Sequence, residues 1–127
     1  MKSYTDLEQS KKLAEILPLE SADMIWVLLS NPYLPMIKAI AYKDFEKSKY
    51  YEILPAWSLA ALLNILPVSC DDGQHCLALI NHNPNERTEW LCAYEDDKGN
   101  LRIECYADNQ IDACYEMILK LHKLKML

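Results

Sequence analysis

Apolar positions recur at helical spacing near the start of the chain. Leu7, Leu13, Ala14, Ile16 and Leu17 share one side, and Glu8, Lys11, Lys12 and Glu15 share the other. This pattern predicts an amphipathic helix. Thr5-Asp6-Leu7-Glu8 has the S/T-x-x-E form of a capping box, with Thr5 as the N-cap and Glu8 reaching back to its amide. Pro18 ends the helix. Residues 22–29 contain the run Met24-Ile25-Trp26-Val27-Leu28-Leu29, which has no polar alternation and predicts a strand covered on both faces. Asn31-Pro32-Tyr33-Leu34-Pro35 reads as a turn or irregular connection. Between 36 and 45 the helical and strand patterns fit almost equally, and 43–49 is a charged surface loop.

Ser58 is a good N-cap for a second helix, with Trp57 and Leu62 at the two positions of a hydrophobic staple. Residues 59–66 are apolar except for Asn64, which predicts a deeply buried helix ended by Pro67. Cys76-Leu77-Ala78-Leu79-Ile80 is a strand apolar on both faces. In the next strand Trp90, Cys92 and Tyr94 share one face, and Leu91 and Ala93 the other. A hairpin turn at Asp97-Lys98-Gly99-Asn100 leads into 101–106, with Leu101, Ile103 and Cys105 inward and Arg102 and Glu104 outward. Setting Asp97 opposite Asn100 pairs Cys92 with Cys105 and Tyr94 with Ile103. A slip of one residue would turn Arg102 and Glu104 onto the apolar face.

The last helix is capped by Asn109, with Asp112 at its third position near the positive end of the dipole. Ile111, Cys114, Tyr115, Ile118, Leu121 and Leu124 form its apolar face. Asp112, Glu116, Lys120 and Lys123 form the wet one, with Glu116 and Lys120 as an i,i+4 pair. Lys120, Lys123 and Lys125 crowd its C-terminal end. The expected fold is α+β: an N-terminal helix and apolar strand, then helix-strand-strand-strand-helix with an antiparallel sheet covered by helices. Strands apolar on both faces ask for cover on both sides, or for a partner chain.

Composition narrows the picture. A chain of 127 residues, 51% hydrophobic, suits a single domain over 1–127 whose core needs no metal or disulfide framework. It also excludes a disordered, collagen-like or coiled-coil chain. With 19 acidic against 13 basic residues the net charge is −6, which argues against a nucleic-acid partner. No apolar stretch nears the ~18–20 residues that span a bilayer. Met1-Lys2-Ser3-Tyr4-Thr5-Asp6 lacks the apolar core of a signal peptide, so a cytoplasmic location is expected. The cysteines at 70, 76, 92, 105 and 114 are odd in number and contain no C-x-x-C pair. They are expected to be reduced, structural thiols.

Chemistry-bearing residues gather only in the loop and strand from Cys70 to His82, where Asp71, Asp72, His75 and Cys76 also lie. The spacings match no standard zinc pattern, and His75 and Cys76 are adjacent. The expectation is a polar loop entering an apolar strand, with no catalytic, cofactor-binding or metal-binding residue. Glu95-Asp96-Asp97-Lys98-Gly99-Asn100 lacks the alternating ligands of a calcium loop. With only Gly73 and Gly99, no glycine-rich loop can cradle phosphates. The helix–three strands–helix order also occurs in double-stranded-RNA-binding domains, but Asp108, Asp112, Glu95, Asp96 and Asp97 stand where basic residues are needed. Tyr4, Tyr33, Tyr42, Tyr50 and Tyr51 are candidates for a protein interface.

Three phrases carry a resemblance: Thr5-Asp6-Leu7-Glu8-Gln9-Ser10-Lys11-Lys12-Leu13-Ala14-Glu15-Ile16-Leu17-Pro18, Leu54-Pro55-Ala56-Trp57-Ser58-Leu59-Ala60-Ala61-Leu62-Leu63, and Tyr106-Ala107-Asp108-Asn109-Gln110-Ile111-Asp112-Ala113-Cys114-Tyr115-Glu116-Met117-Ile118. The chain resembles a group of small uncharacterised proteins of gut Bacteroides-type bacteria, their phages and integrated elements. From Trp57 onward it is loosely similar to phage-associated α/β sandwich domains. Gln110 stands where the group often has Pro, a change that leaves the cap intact. The resemblance implies a mobile-element setting and transfers no catalytic residue. The expected function is therefore a non-enzymatic cytoplasmic accessory protein acting through a protein partner, a second copy included, without membrane or nucleic acid. The alternatives are a small enzyme or regulator using the 70–82 loop and, more weakly, an acidic inhibitor that mimics nucleic acid.

Overall fold

The first helix starts one residue later than the capping motif suggests. In α1 (Leu7–Ile16) the N-cap is Asp6, whose carboxylate accepts from the Gln9 amide (2.8 Å) while the Gln9 side chain accepts from the Asp6 amide (3.1 Å). The box therefore uses Asp6 and Gln9 rather than Thr5 and Glu8, because Thr5 is engaged elsewhere. Its buried hydroxyl accepts from the Trp57 amide (3.1 Å) and meets the Ser10 hydroxyl at 2.8 Å.

The computed structural model describes residues 2–29, 35–45, 51–71, 73–82 and 89–127, apart from the side chains of Leu29, Tyr51 and His82. Residues 31–34 of the predicted turn at 31–35, and 46–49 of the charged loop at 43–49, lie outside the described residues. Among those described, three helices and two antiparallel sheets make an α+β fold. No helix is long and apolar enough to cross a membrane. The chain forms two compact units, 3–61 and 1–2 with 62–127.

In the unit 3–61, β1 (Met24–Leu29) is the central strand, flanked by β2 (Met36–Lys38) and β3 (Tyr51–Ala56) in the order β2-β1-β3. The ambiguous stretch at 36–45 resolves into the short strand β2 and a 3₁₀ turn, Tyr42–Asp44. Strand β3 escapes a reading of pattern because Pro55 resembles a breaker. On an edge strand, however, the missing N–H of proline can face away from the sheet. Ile25 and Val27 are fully buried, whereas Met24, Trp26 and Leu28 are half-buried, so only one face of β1 is tightly covered. Helix α1 packs on β3. Trp26 donates its indole N–H to the Thr5 carbonyl (3.0 Å) and meets Tyr4 edge to face, with centroids 5.6 Å apart. Tyr4 thus packs inside its own unit.

The division between units falls within α2 (Leu59–Ile65). Ser58 caps it as expected, accepting from the Ala61 amide (3.2 Å), but it is not deeply buried. Leu62 is enclosed, while Leu59, Leu63 and Ile65 are half-exposed. Two helical turns are too short for neighbours to surround every side.

The unit 62–127 is built on a sheet ordered β4 (Ser69–Cys70), β5 (His75–His82), β6 (Glu89–Glu95), β7 (Leu101–Ala107). Cys92 faces Cys105 and Tyr94 faces Ile103, as burial requires. The register then shifts at Glu95, which faces Leu101, so Arg102 is bulged out of the ladder. The hairpin closes with Asp96 opposite Asn100, not Asp97: the Asp96 amide donates to the Asn100 carbonyl (3.0 Å). Leu101 consequently shares the face of Glu95 rather than that of Ile103 and is exposed.

Helix α3 (Gln110–Lys123) packs on β6 and β7. Asn109 caps it, accepting from the Asp112 amide (2.8 Å). Ile111, Ala113, Cys114, Met117, Ile118 and Leu121 are buried. Leu124, expected on that face, is exposed because the helix ends just before it. Lys125 then adopts φ +60°, and its amide and that of Met126 bond back to His122 and Leu121. This is a Schellman closure with lysine where glycine is usual.

Candidate functional site

A two-residue strand, Asp71 beside it and the start of β5 create the densest chemistry among the described residues. Cys70 and His75 are cross-strand partners. That geometry holds their Cβ atoms about 4.5–5.5 Å apart on one face. Asp71 follows in the left-handed region at φ +55°, a conformation aspartate tolerates better than most residues. Gly73 at φ +88° completes the turn, in which the Gln74 amide donates to the Asp71 carbonyl (3.1 Å).

The Cys70 thiol, a carboxylate oxygen of Asp71 and a ring nitrogen of His75 all lie within 4.8 Å of one another. Asp71 Oδ2 is 3.2 Å from His75 Nδ1. Even so, Nδ1 is buried and lacks hydrogen-bond geometry to any described partner. The other oxygen, Oδ1, accepts from the Arg102 guanidinium at 2.5 Å. The bulge that removes Arg102 from the β7 ladder is what frees it for this contact, a common use of bulges.

His75 also lines a cleft of about 470 Å³ between Gly73–Gln74 and the 96–100 hairpin. Asp96 is committed to that hairpin. Its Oδ1 accepts from the amides of Lys98 (2.9 Å) and Asn100 (2.8 Å), and its Oδ2 from the Asn100 side chain (3.0 Å). Bonds from Asn100, backbone first, hold the Asp96 carboxyl below the usual aspartate range, and His75 acts in the same direction.

Not all residues flagged by sequence join the cluster. Asp72 lies outside the described residues. Cys76 alternates onto the opposite face, and its thiol is exposed rather than embedded in an apolar segment. His82 closes β5 seven residues beyond His75, about 24 Å along a strand. Arg102 was hidden from pattern reading because it belongs there to the outward face of a regular strand.

The remaining thiols are structural in placement. All five cysteines are free, with Cys92 and Cys114 buried between β6 and α3. A hydrogen bond with Cys114, together with burial, pushes the Cys92 thiol far above its ordinary range. Burial likewise raises the Tyr94 phenol, which donates to the Pro67 carbonyl (2.7 Å). Of the proposed interface tyrosines, Tyr42 is half-buried. Tyr33, Tyr50 and the Tyr51 side chain lie outside the described residues. No protein-family model, curated protein or solved structure matches the chain.

Proposed function

We propose that this is a non-enzymatic accessory protein that docks a protein partner in the cytoplasm of a bacterium hosting a phage or mobile element. The observation that carries the reading is the face of the β4–β7 sheet opposite α3. The register sets Ile80, Leu91 and Tyr106 in one row across three strands, beside the row Ala78, Ala93 and Glu104. Ile80 is 38% exposed and Tyr106 44% exposed, whereas Leu91 and Ala93 between them are buried, so the two ends of the row are what a partner can reach. The three quoted sequence phrases support the mobile-element setting.

The chemistry of this face favours one class of occupant. The Tyr106 hydroxyl donates to the Glu104 carboxylate (3.2 Å), and partial burial with the carboxylates of Glu104 and Glu89 raises its phenol. Exposed apolar side chains at 80 and 106 bordered by acids suit a partner segment carrying apolar side chains flanked by lysine or arginine. A second copy would bring acid against acid.

Photo-crosslinkers placed at position 80 or 106, with position 116 on the outer face of α3 as control, test this reading. The partner captured from host lysate should crosslink at 80 and 106 but not at 116. Capture should weaken as salt rises, and Ile80→Asp should reduce it at least about tenfold, as for a central interface residue. Capture indifferent to Ile80→Asp, or crosslinks to a second copy, would overturn it. A second reading, a small enzyme or regulator acting at 70–82, draws on the Cys70–Asp71–His75 cluster.

A further inference from the structure

We propose that Cys70, Asp71 and His75 form a three-ligand binding site for a zinc-class divalent cation. This inference is independent of the docking face. The donor set is the first reason. Thiolate, imidazole and carboxylate together suit zinc, and cobalt as its stand-in, far better than magnesium or calcium, which take oxygen ligands.

Geometry is the second. Bonds of 2.0–2.3 Å to a tetrahedral ion require donors about 3.3–3.7 Å apart. The three donors already lie within 4.8 Å of one another, and the Asp71–His75 separation is 3.2 Å.

The third reason is what the cluster leaves unsatisfied. A buried imidazole nitrogen normally has a hydrogen-bond partner, and His75 Nδ1 has none among the described residues. It lies 3.2 Å from Asp71 Oδ2 without hydrogen-bond geometry, so the two atoms flank a position that one cation can share. Arg102 occupies only Oδ1 of Asp71, fixing the carboxylate and leaving Oδ2 for the ion. Metal-ligating carboxylates are commonly held by such an outer contact. On binding, the Cys70 thiol releases its proton to solvent and coordinates as thiolate. Three protein donors leave a fourth position for water. Because His75 also lines the cleft toward Asn100, that position is open to exchange.

The spacing C-x₄-H explains why no motif announces the site. Standard patterns belong to knuckles and helices, whereas here a cross-strand pair brings the ligands together.

Cobalt titration of the full-length protein in the Cys76→Ser background, which removes the exposed neighbouring thiol, tests the assignment. One equivalent should give the visible bands of tetrahedral cobalt and a thiolate-to-cobalt charge-transfer band, and zinc should displace both. Cys70→Ser should abolish the charge-transfer band, and His75→Ala should abolish saturable binding. Arg102→Ala should weaken affinity about 10–100-fold. Unchanged far-ultraviolet circular dichroism confirms that each variant is folded. Cobalt binding that survives Cys70→Ser with its charge-transfer band intact, or no such band in the parent at metal excess, overturns the site.

Discussion

Two side chains show how much depends on single positions. Trp57 is fully buried, its amide held by Thr5 and its indole N–H donated to Ser21 Oγ (2.9 Å). Ile118 is fully buried in the middle of α3. Truncation of either to alanine should cost ~2–5 kcal/mol, through lost transfer energy and the cavity left behind. Lys120→Ala should cost under ~0.5 kcal/mol, since its ammonium only reaches the exposed Glu104 carbonyl (3.0 Å). Denaturant unfolding of the three variants makes the comparison. A substitution in the opposite direction is available at Lys125, whose φ of +60° strains any residue with a Cβ. Lys125→Gly should raise stability by about 0.5–1 kcal/mol in the same assay.

At the scale of elements, the 96–100 hairpin has a pH signature. The folded state lowers the pKa of Asp96, so the carboxylate contributes stability above the unfolded value of about 3.9. That contribution is lost as pH falls through the lower folded value. Asp96→Asn should therefore be less stable than the parent near neutrality, and the gap should narrow below about pH 4, as followed by thermal melts across pH. The body of this hairpin is legible in sequence because burial admits only one register for Cys92, Tyr94, Ile103 and Cys105. Its tip is not, because the bulge at Arg102 depends on how Asp96 collects the amides of Lys98 and Asn100. The same contrast recurs elsewhere. The cap and apolar face of α3 are plain in the residues, whereas β3 is masked by Pro55. The Cys70–His75 pairing is invisible until β4 and β5 align.

For the whole molecule, accessibility should order the chemistry of its thiols. Cys76 is exposed, Cys70 and Cys105 are half-buried, and Cys92 and Cys114 are enclosed. Burial also raises the Cys105 thiol, which slows its reaction because the thiolate is the nucleophile. Alkylation of the native protein, mapped by mass spectrometry over time, should label Cys76 first and Cys92 and Cys114 only on unfolding. Bound zinc should delay Cys70 and leave the rates at the other positions unchanged. Chelation should leave the fold intact, because the buried side chains around Trp57 and Ile118 are remote in sequence from the metal ligands and are apolar.

The outer strands of both sheets bear on polymerisation. A free edge invites another chain to add a strand, the first step toward fibres. Here β2 has three residues and β4 two. Strand β3 carries Pro55 on its edge, and β7 carries Arg102 and Glu104, with the Lys120 ammonium on the Glu104 carbonyl. Each border is too short, interrupted or charged to template an extension. A sheet that cannot grow sideways can leave apolar side chains such as Ile80 and Tyr106 in contact with water without seeding its own aggregation.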